Sequence, residues 1–77
     1  MNQIKSLHQD ASDTLWEIGL REILIQNKQD TIQKMKPMMI DDTQWREQLS
    51  LLKLEKAILK IKYKDQLAKL LTSIEKL

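Results

Sequence analysis

The sequence predicts an all-α protein that folds as a long antiparallel helical hairpin. The 77 residues are rich in Leu, Ile, Lys, Gln and Glu, and they include one glycine, one proline and no phenylalanine. Most of these common residues favour helices. Apolar residues recur at steps of three and four along two long segments, which indicates helices rather than strands. Pro37 separates the two segments. A chain of 77 residues is long enough for one domain at most, so we expect a single helical domain over residues 1–77.

The first long segment carries an apolar stripe with a polar interruption. Thr14 and Glu17 have the spacing of a capping box, in which each side chain satisfies a free backbone N–H at a helix start. The segment is therefore either one bent helix or a short N-terminal helix over about 3–11 followed by a longer helix over 14–35. We favour the break. The stripe contains Ile4, Leu7, Ala11, Leu15, Ile18, Ile25 and Ile32.

The connection and the second helix follow from local signals. Pro37 ends the first helix because it disfavours helical geometry at the preceding residue and lacks an N–H. We predict a turn over 36–41 and a helix over about 42–76, with Asp41 as its cap and Gln44 reaching back. The short connection makes the helices antiparallel neighbours. Residues whose numbers sum to about 77 then face each other. The second stripe contains Trp45, Leu49, Leu52, Leu59, Tyr63, Leu67, Leu70, Ile74 and Leu77.

Each helix also carries a second apolar set that the hairpin core does not need. In the antiparallel register both sets fall at the same height, so we call them the waist collar. Burying eight such side chains represents on the order of 10–20 kcal/mol, as an upper estimate. We expect the collar to be a partner interface that builds a helical bundle with a second copy (a homodimer) or with another protein helix. Residues 1–11 folded back as a third helix are the alternative cover. The collar residues are Trp16, Leu20, Ile23, Leu24, Leu51, Leu54, Ile58 and Ile61.

The sequence offers no recognisable catalytic or ligand chemistry. It has no cysteine and a single histidine, His8, so neither a disulfide framework nor a zinc site is expected. Catalytic and phosphate-binding motifs are absent, and the adjacent Asp41 and Asp42 fit helix capping better than metal binding. We therefore expect no enzyme activity, cofactor, metal or small-molecule substrate. No apolar run has the length of a membrane span or a signal peptide, so we expect a cytoplasmic protein.

The leading functional hypothesis is a non-enzymatic interaction module that masks, inhibits or assembles a partner, as chaperones, adaptors and inhibitors do. The alternative is a basic helical nucleic-acid-binding dimer, because a basic helix can follow phosphates. We disfavour it since the lysines are expected on two flanks and no aromatic residues are interleaved for base stacking. The formal net charge is +2. The lysines of this stretch are Lys53, Lys56, Lys60, Lys62, Lys64 and Lys69.

Overall fold

The computed structural model describes residues 2–77, so Met1 of the predicted domain lies outside it. Helix α1 spans Asn2–Met35, a 3₁₀ turn spans Lys36–Met38, and helix α2 spans Thr43–Glu75. The two helices form an extended antiparallel hairpin with principal extents of 60 × 14 × 13 Å. The predicted all-α hairpin is therefore confirmed, and residues 2–77 contain no strand.

Helix α1 is continuous, so the break that we favoured between 3–11 and 14–35 is wrong. The Thr14 hydroxyl does not cap a new helix but donates a 3.0 Å hydrogen bond to the Asp10 carbonyl. This internal bond lets a threonine remain inside a helix. Ala11, Thr14 and Ile18 are all buried, because the stripe stays in phase across the polar segment. Packing against α2 thus outweighs the local capping signal.

The turn reverses the chain through one residue with left-handed backbone geometry. Met39 has φ 54° and ψ 34°, and its N–H donates to the Lys36 carbonyl at 3.2 Å. The Ile40 N–H donates to the Met35 carbonyl at 3.4 Å. These two bonds satisfy carbonyl groups at the end of the first helix. The turn therefore supplies the short connection that the antiparallel arrangement requires.

Helix α2 begins one residue later than predicted, so Asp42 rather than Asp41 is its N-cap residue, and the Asp42 side chain makes no capping hydrogen bond. Asp41 accepts hydrogen bonds from Thr43 just before the helix. The Thr43 N–H and hydroxyl donate to Asp41 Oδ1 at 3.0 and 2.7 Å. These hydrogen bonds, the hydroxyl bond first, lower the pKa of Asp41 below its ordinary value. Asp42 accepts instead from Arg46 Nε at 3.0 Å. The predicted return contact from Gln44 is absent from the hydrogen bonds of residues 2–77.

Polar contacts between the helices confirm the predicted register. Arg21 Nε lies 2.9 Å from Glu55 Oε2, and Lys56 Nζ lies 3.4 Å from Glu22 Oε1. The residue numbers in these pairs sum to 76 and 78. Further towards the turn, Lys28 Nζ donates to Gln48 Oε1 at 2.6 Å. The facing positions of α1 and α2 are thereby fixed along the central part of the hairpin.

The core between the helices is thin. The buried residues of the described chain are Ala11, Thr14, Ile18 and Ile32, and α2 contributes none. Leu15, which we expected in the core stripe, is 51% exposed. The radius of gyration is 17.6 Å, whereas a compact chain of this length has about 11.5 Å. The hairpin therefore exposes much more of its surface than a compact domain of the same size does.

Candidate protein interface at the hairpin waist

The heptad spacing of each helix divides its surface into a core side and a back. In α1, Ala11 and Ile18 lie at one core position and Thr14 at the other. If the seven positions are lettered a to g, with Ala11 and Ile18 at a and Thr14 at d, position f lies opposite the core. Position f is occupied by Trp16 and Ile23. These two side chains are 70% and 60% exposed. The back of α1 is therefore apolar at the level where a surface helix normally carries charged residues.

Helix α2 repeats this arrangement at the same height. Leu52 and Leu59 point towards α1 and are half-buried. Leu54 and Ile61 occupy the opposite position of the α2 heptad and are 57% and 69% exposed. In the observed register Ile61 lies level with Trp16. The hairpin consequently has two apolar backs that face away from each other at one level.

All eight collar residues are exposed in the single chain. Their exposed fractions range from 39% for Leu20 to 70% for Trp16. The N-terminal residues from Asn2 onwards continue α1, so they do not fold back as a third helix over the collar. Sequence reasoning missed Leu15, which extends the exposed apolar surface on the flank of α1. That a partner covers this surface stays a prediction.

A shallow furrow runs along the back of α1 over Gly19. A Cβ built on Gly19 has no neighbouring atom within 4 Å, so neither α2 nor any other part of the described chain fills this place. The close helix approach that a glycine permits is therefore not used by α2 of the same chain. The furrow has a volume of about 320 Å³ and is lined by Ser12, Leu15, Trp16, Gly19, Leu20 and Ile23.

The charged side chains that bridge the two helices lie along the seams between them. The pairs Arg21–Glu55 and Lys56–Glu22 bridge the helices. Their side chains are substantially exposed, and exposed ion pairs contribute only about 0–1 kcal/mol each. They contribute to the register more than to the stability. The collar therefore remains a largely uncharged surface beside charged seams.

The lysine-rich stretch of α2 does not form one continuous free surface. Lys53, Lys56 and Lys60 border one groove, and Lys56 is paired with Glu22. Lys69 is paired with Asp65, 3.0 Å away. Long lysine stems can cover apolar surface while the ammonium group stays in water. Nucleic-acid binding by this stretch stays an alternative prediction.

Metal-ligand groups and membrane-spanning helices are not found in the described part of the chain. Residues 2–77 contain no group of three or more His, Cys, Asp or Glu side chains placed to hold a metal ion. Neither helix, as far as it is described, combines the length and apolar character that crossing a membrane requires. Comparison of the chain with family models, curated proteins and solved structures finds no match.

Proposed function

We propose that this chain is a non-enzymatic protein–protein interaction module that masks, inhibits or assembles a partner through the waist collar. One observation carries the proposal: eight large apolar side chains surround the hairpin at one height, and all of them are exposed. Scattered apolar residues on a protein surface are ordinary. Apolar side chains gathered on a helix back, four on each helix at one height, instead mark interaction surfaces.

The surface area of the chain supports the same proposal. The accessible surface is 6179 Å², whereas a compact monomer of 9.1 kDa exposes about 4,900 Å². The excess is about 1,300 Å². A standard specific interface removes about 800 Å² from each partner. The hairpin thus has enough spare surface to dock another protein without changing its fold.

The collar favours a helical partner over an extended peptide. Its residues follow steps of three and four along each helix, which is the spacing that a second helix matches with its own ridges. Strand addition requires an exposed sheet edge, and residues 2–77 have none. The proposal therefore concerns docking of helix against helix.

A double substitution on α2 tests the proposal. Leu54→Lys with Ile58→Glu places charges on two collar residues that do not face α1. We expect the variant to keep its helical circular dichroism, to lose a bound protein in affinity capture, and to show no larger species in sedimentation. The matched control is Ala68→Lys with Thr72→Glu, which uses exposed positions of the same spacing beyond the collar. Unchanged mass and unchanged capture in the collar variant would contradict the proposal.

A further inference from the structure

We propose that the partner at the collar is a second copy of this chain, arranged head to tail. The back of α1 in one copy lies against the back of α2 in the next copy. This inference rests on the proposed function, because it uses the same collar, and it adds the identity and the geometry of the partner. Four features support it: the residue pattern of the two backs, the antiparallel register of the helices, the net charge of each helix, and the excess surface area of the chain.

The two backs carry the same pattern of small and large residues. On each helix two small residues stand seven positions apart, with large apolar residues beside them. Small residues on a helix surface let two helix backbones come close together, and the open furrow over Gly19 is one such place. The α2 pattern is the α1 pattern displaced by 38 residues. The matching residues are Ser12, Trp16, Gly19, Leu20 and Ile23 on α1 and Ser50, Leu54, Ala57, Ile58 and Ile61 on α2.

The register makes these two patterns meet when hairpins lie side by side. A copy displaced sideways by one hairpin width places its α1 antiparallel to the neighbouring α2 at unchanged height. Facing residues then sum to about 77, as they do inside the hairpin. Ile23 meets Leu54 of the next copy, and Gly19 comes level with Ala57. Gly19 and Ala57 therefore face each other, and the large pairs Ile23–Leu54 and Trp16–Ile61 lie on either side of them. The serines do not face each other, since Ser12 falls level with Asp65 and Ser50 with Asn27.

The net charges of the helices favour this pairing over a contact between two α2 helices. Helix α1 carries four basic and five acidic residues, for a net charge of −1. Helix α2 carries seven basic and four acidic residues, for a net charge of +3. Contact between two α2 helices brings together two helices of net charge +3, whereas contact of α1 with α2 joins helices of opposite net charge. Complementary charge selects partners and suppresses wrong pairings.

The available area fits a contact made at both edges of each copy. The excess surface of about 1,300 Å² per chain, shared between two edges, allows each contact to remove about 650 Å² from either copy. The total of about 1,300 Å² per contact lies at the lower end of specific interfaces. Such contacts are weak and depend on concentration. Because the two surfaces differ, the assembly grows into a row or closes into a ring instead of stopping at two copies.

Complementation between two blocked variants tests the head-to-tail contact. Ile23→Glu blocks the back of α1, and Leu54→Glu blocks the back of α2. Both positions are exposed on the single chain and lie at the same height, so the hairpin fold is retained and is checked by circular dichroism. We expect wild-type mass in sedimentation to grow with concentration beyond two copies. Each variant alone stays monomeric, and their equimolar mixture forms a one-to-one pair.

The control and the contrary outcomes are specific to this geometry. Gln3→Glu adds the same charge at an exposed position of α1 that borders the groove between the two helices rather than the back, and it should assemble as wild type does. A Leu54→Glu chain that dimerises alone would show a symmetric α1 contact and overturn the inference. So would a wild type that stays monomeric throughout the concentration series. A monomeric wild type could still capture another protein and lose that capture in the Leu54→Lys, Ile58→Glu variant. In that case the proposed function stands, and a second copy is excluded as the partner.

Discussion

A single glutamine oxygen is the weakest point of the hairpin core. Gln66 Nε2 donates a long 3.4 Å hydrogen bond to the Asp10 carbonyl. Its Oε1 is buried and has no hydrogen-bond partner. An unpaired buried polar atom costs about 1–3 kcal/mol. The Thr14 hydroxyl already donates to the same Asp10 carbonyl, so it does not need Gln66 as a partner. Gln66 therefore lowers the stability of the contact between the helices at this level.

Replacement of Gln66 by leucine should therefore stabilise the fold. We expect Gln66→Leu to raise the free energy of unfolding by about 1 kcal/mol, since it removes the unpaired oxygen and adds apolar surface to the interface. Urea denaturation with helical circular dichroism measures the change. Gln48→Leu is the matched control, because Gln48 Oε1 accepts a 2.6 Å hydrogen bond from Lys28, and we expect no gain there. A loss of stability in Gln66→Leu would refute this account.

The start of α2 should lose stability in acid through Asp41. Hydrogen bonds from the hydroxyl and the N–H of Thr43 favour the carboxylate and lower the pKa of Asp41 below 3.8. A lowered folded-state pKa contributes stability above the ordinary value, and this contribution is lost as the pH falls through the lowered one. Asp41→Asn keeps an acceptor oxygen but does not titrate. We expect the thermal midpoints of wild type and variant to differ near neutral pH and to converge in acid.

At the scale of the elements, periodicity predicted the hairpin well, and local signals predicted its details poorly. The seven-residue repeat and Pro37 were sufficient for two helices and their register. The capping spacing of Thr14 and Glu17 was misleading, because a threonine can bond within its own helix when the helix is held by packing. Leu15 was assigned to the core since it is apolar. The register instead places Thr14 there, and a position one residue away points to a different side of the helix.

Gly19 offers a test that separates the stability of α1 from assembly. Glycine in a helix interior costs roughly 1 kcal/mol relative to alanine, and a Cβ at this position meets no atom of the single chain. We expect Gly19→Ala to raise the unfolding free energy of the monomer by about that amount. Urea denaturation at a protein concentration too low for association measures the unfolding free energy of the monomer alone. Lower stability under those conditions would mean that the site is already occupied within one chain.

The same substitution should act in the opposite direction on association. In the head-to-tail contact Gly19 lies level with Ala57 of the next copy, so an added methyl group holds the backbones apart. We expect the Gly19→Ala chain to need a higher concentration to reach the sedimentation mass of wild type. Ser6→Ala, at an exposed position of α1 beyond the collar, should leave association unchanged. Equal association of both variants with wild type would count against close packing at the furrow.

At the scale of the whole molecule, the thin core and the exposed collar have a common explanation. No side chain described in residues 3–77 is fully buried, and chains of this size often rely on association for stability. The helices hold each other through one narrow seam, while their backs carry eight further large apolar residues at the level of the collar. A partner that covers the backs supplies burial that one hairpin does not provide. Folding and binding should therefore be linked.

This linkage predicts that thermal stability depends on protein concentration. Above the concentration at which copies associate, each tenfold increase should add about 1.4 kcal/mol to the stability of the folded state. For a chain of this size the thermal midpoint then rises by about 6–11 °C per tenfold step. Circular dichroism melting over a dilution series measures it. The Ile23→Glu and Leu54→Glu chains should each melt at a constant temperature, whereas their mixture should regain part of the dependence. A wild-type midpoint that does not move with concentration would mean that the hairpin is stable without a second copy.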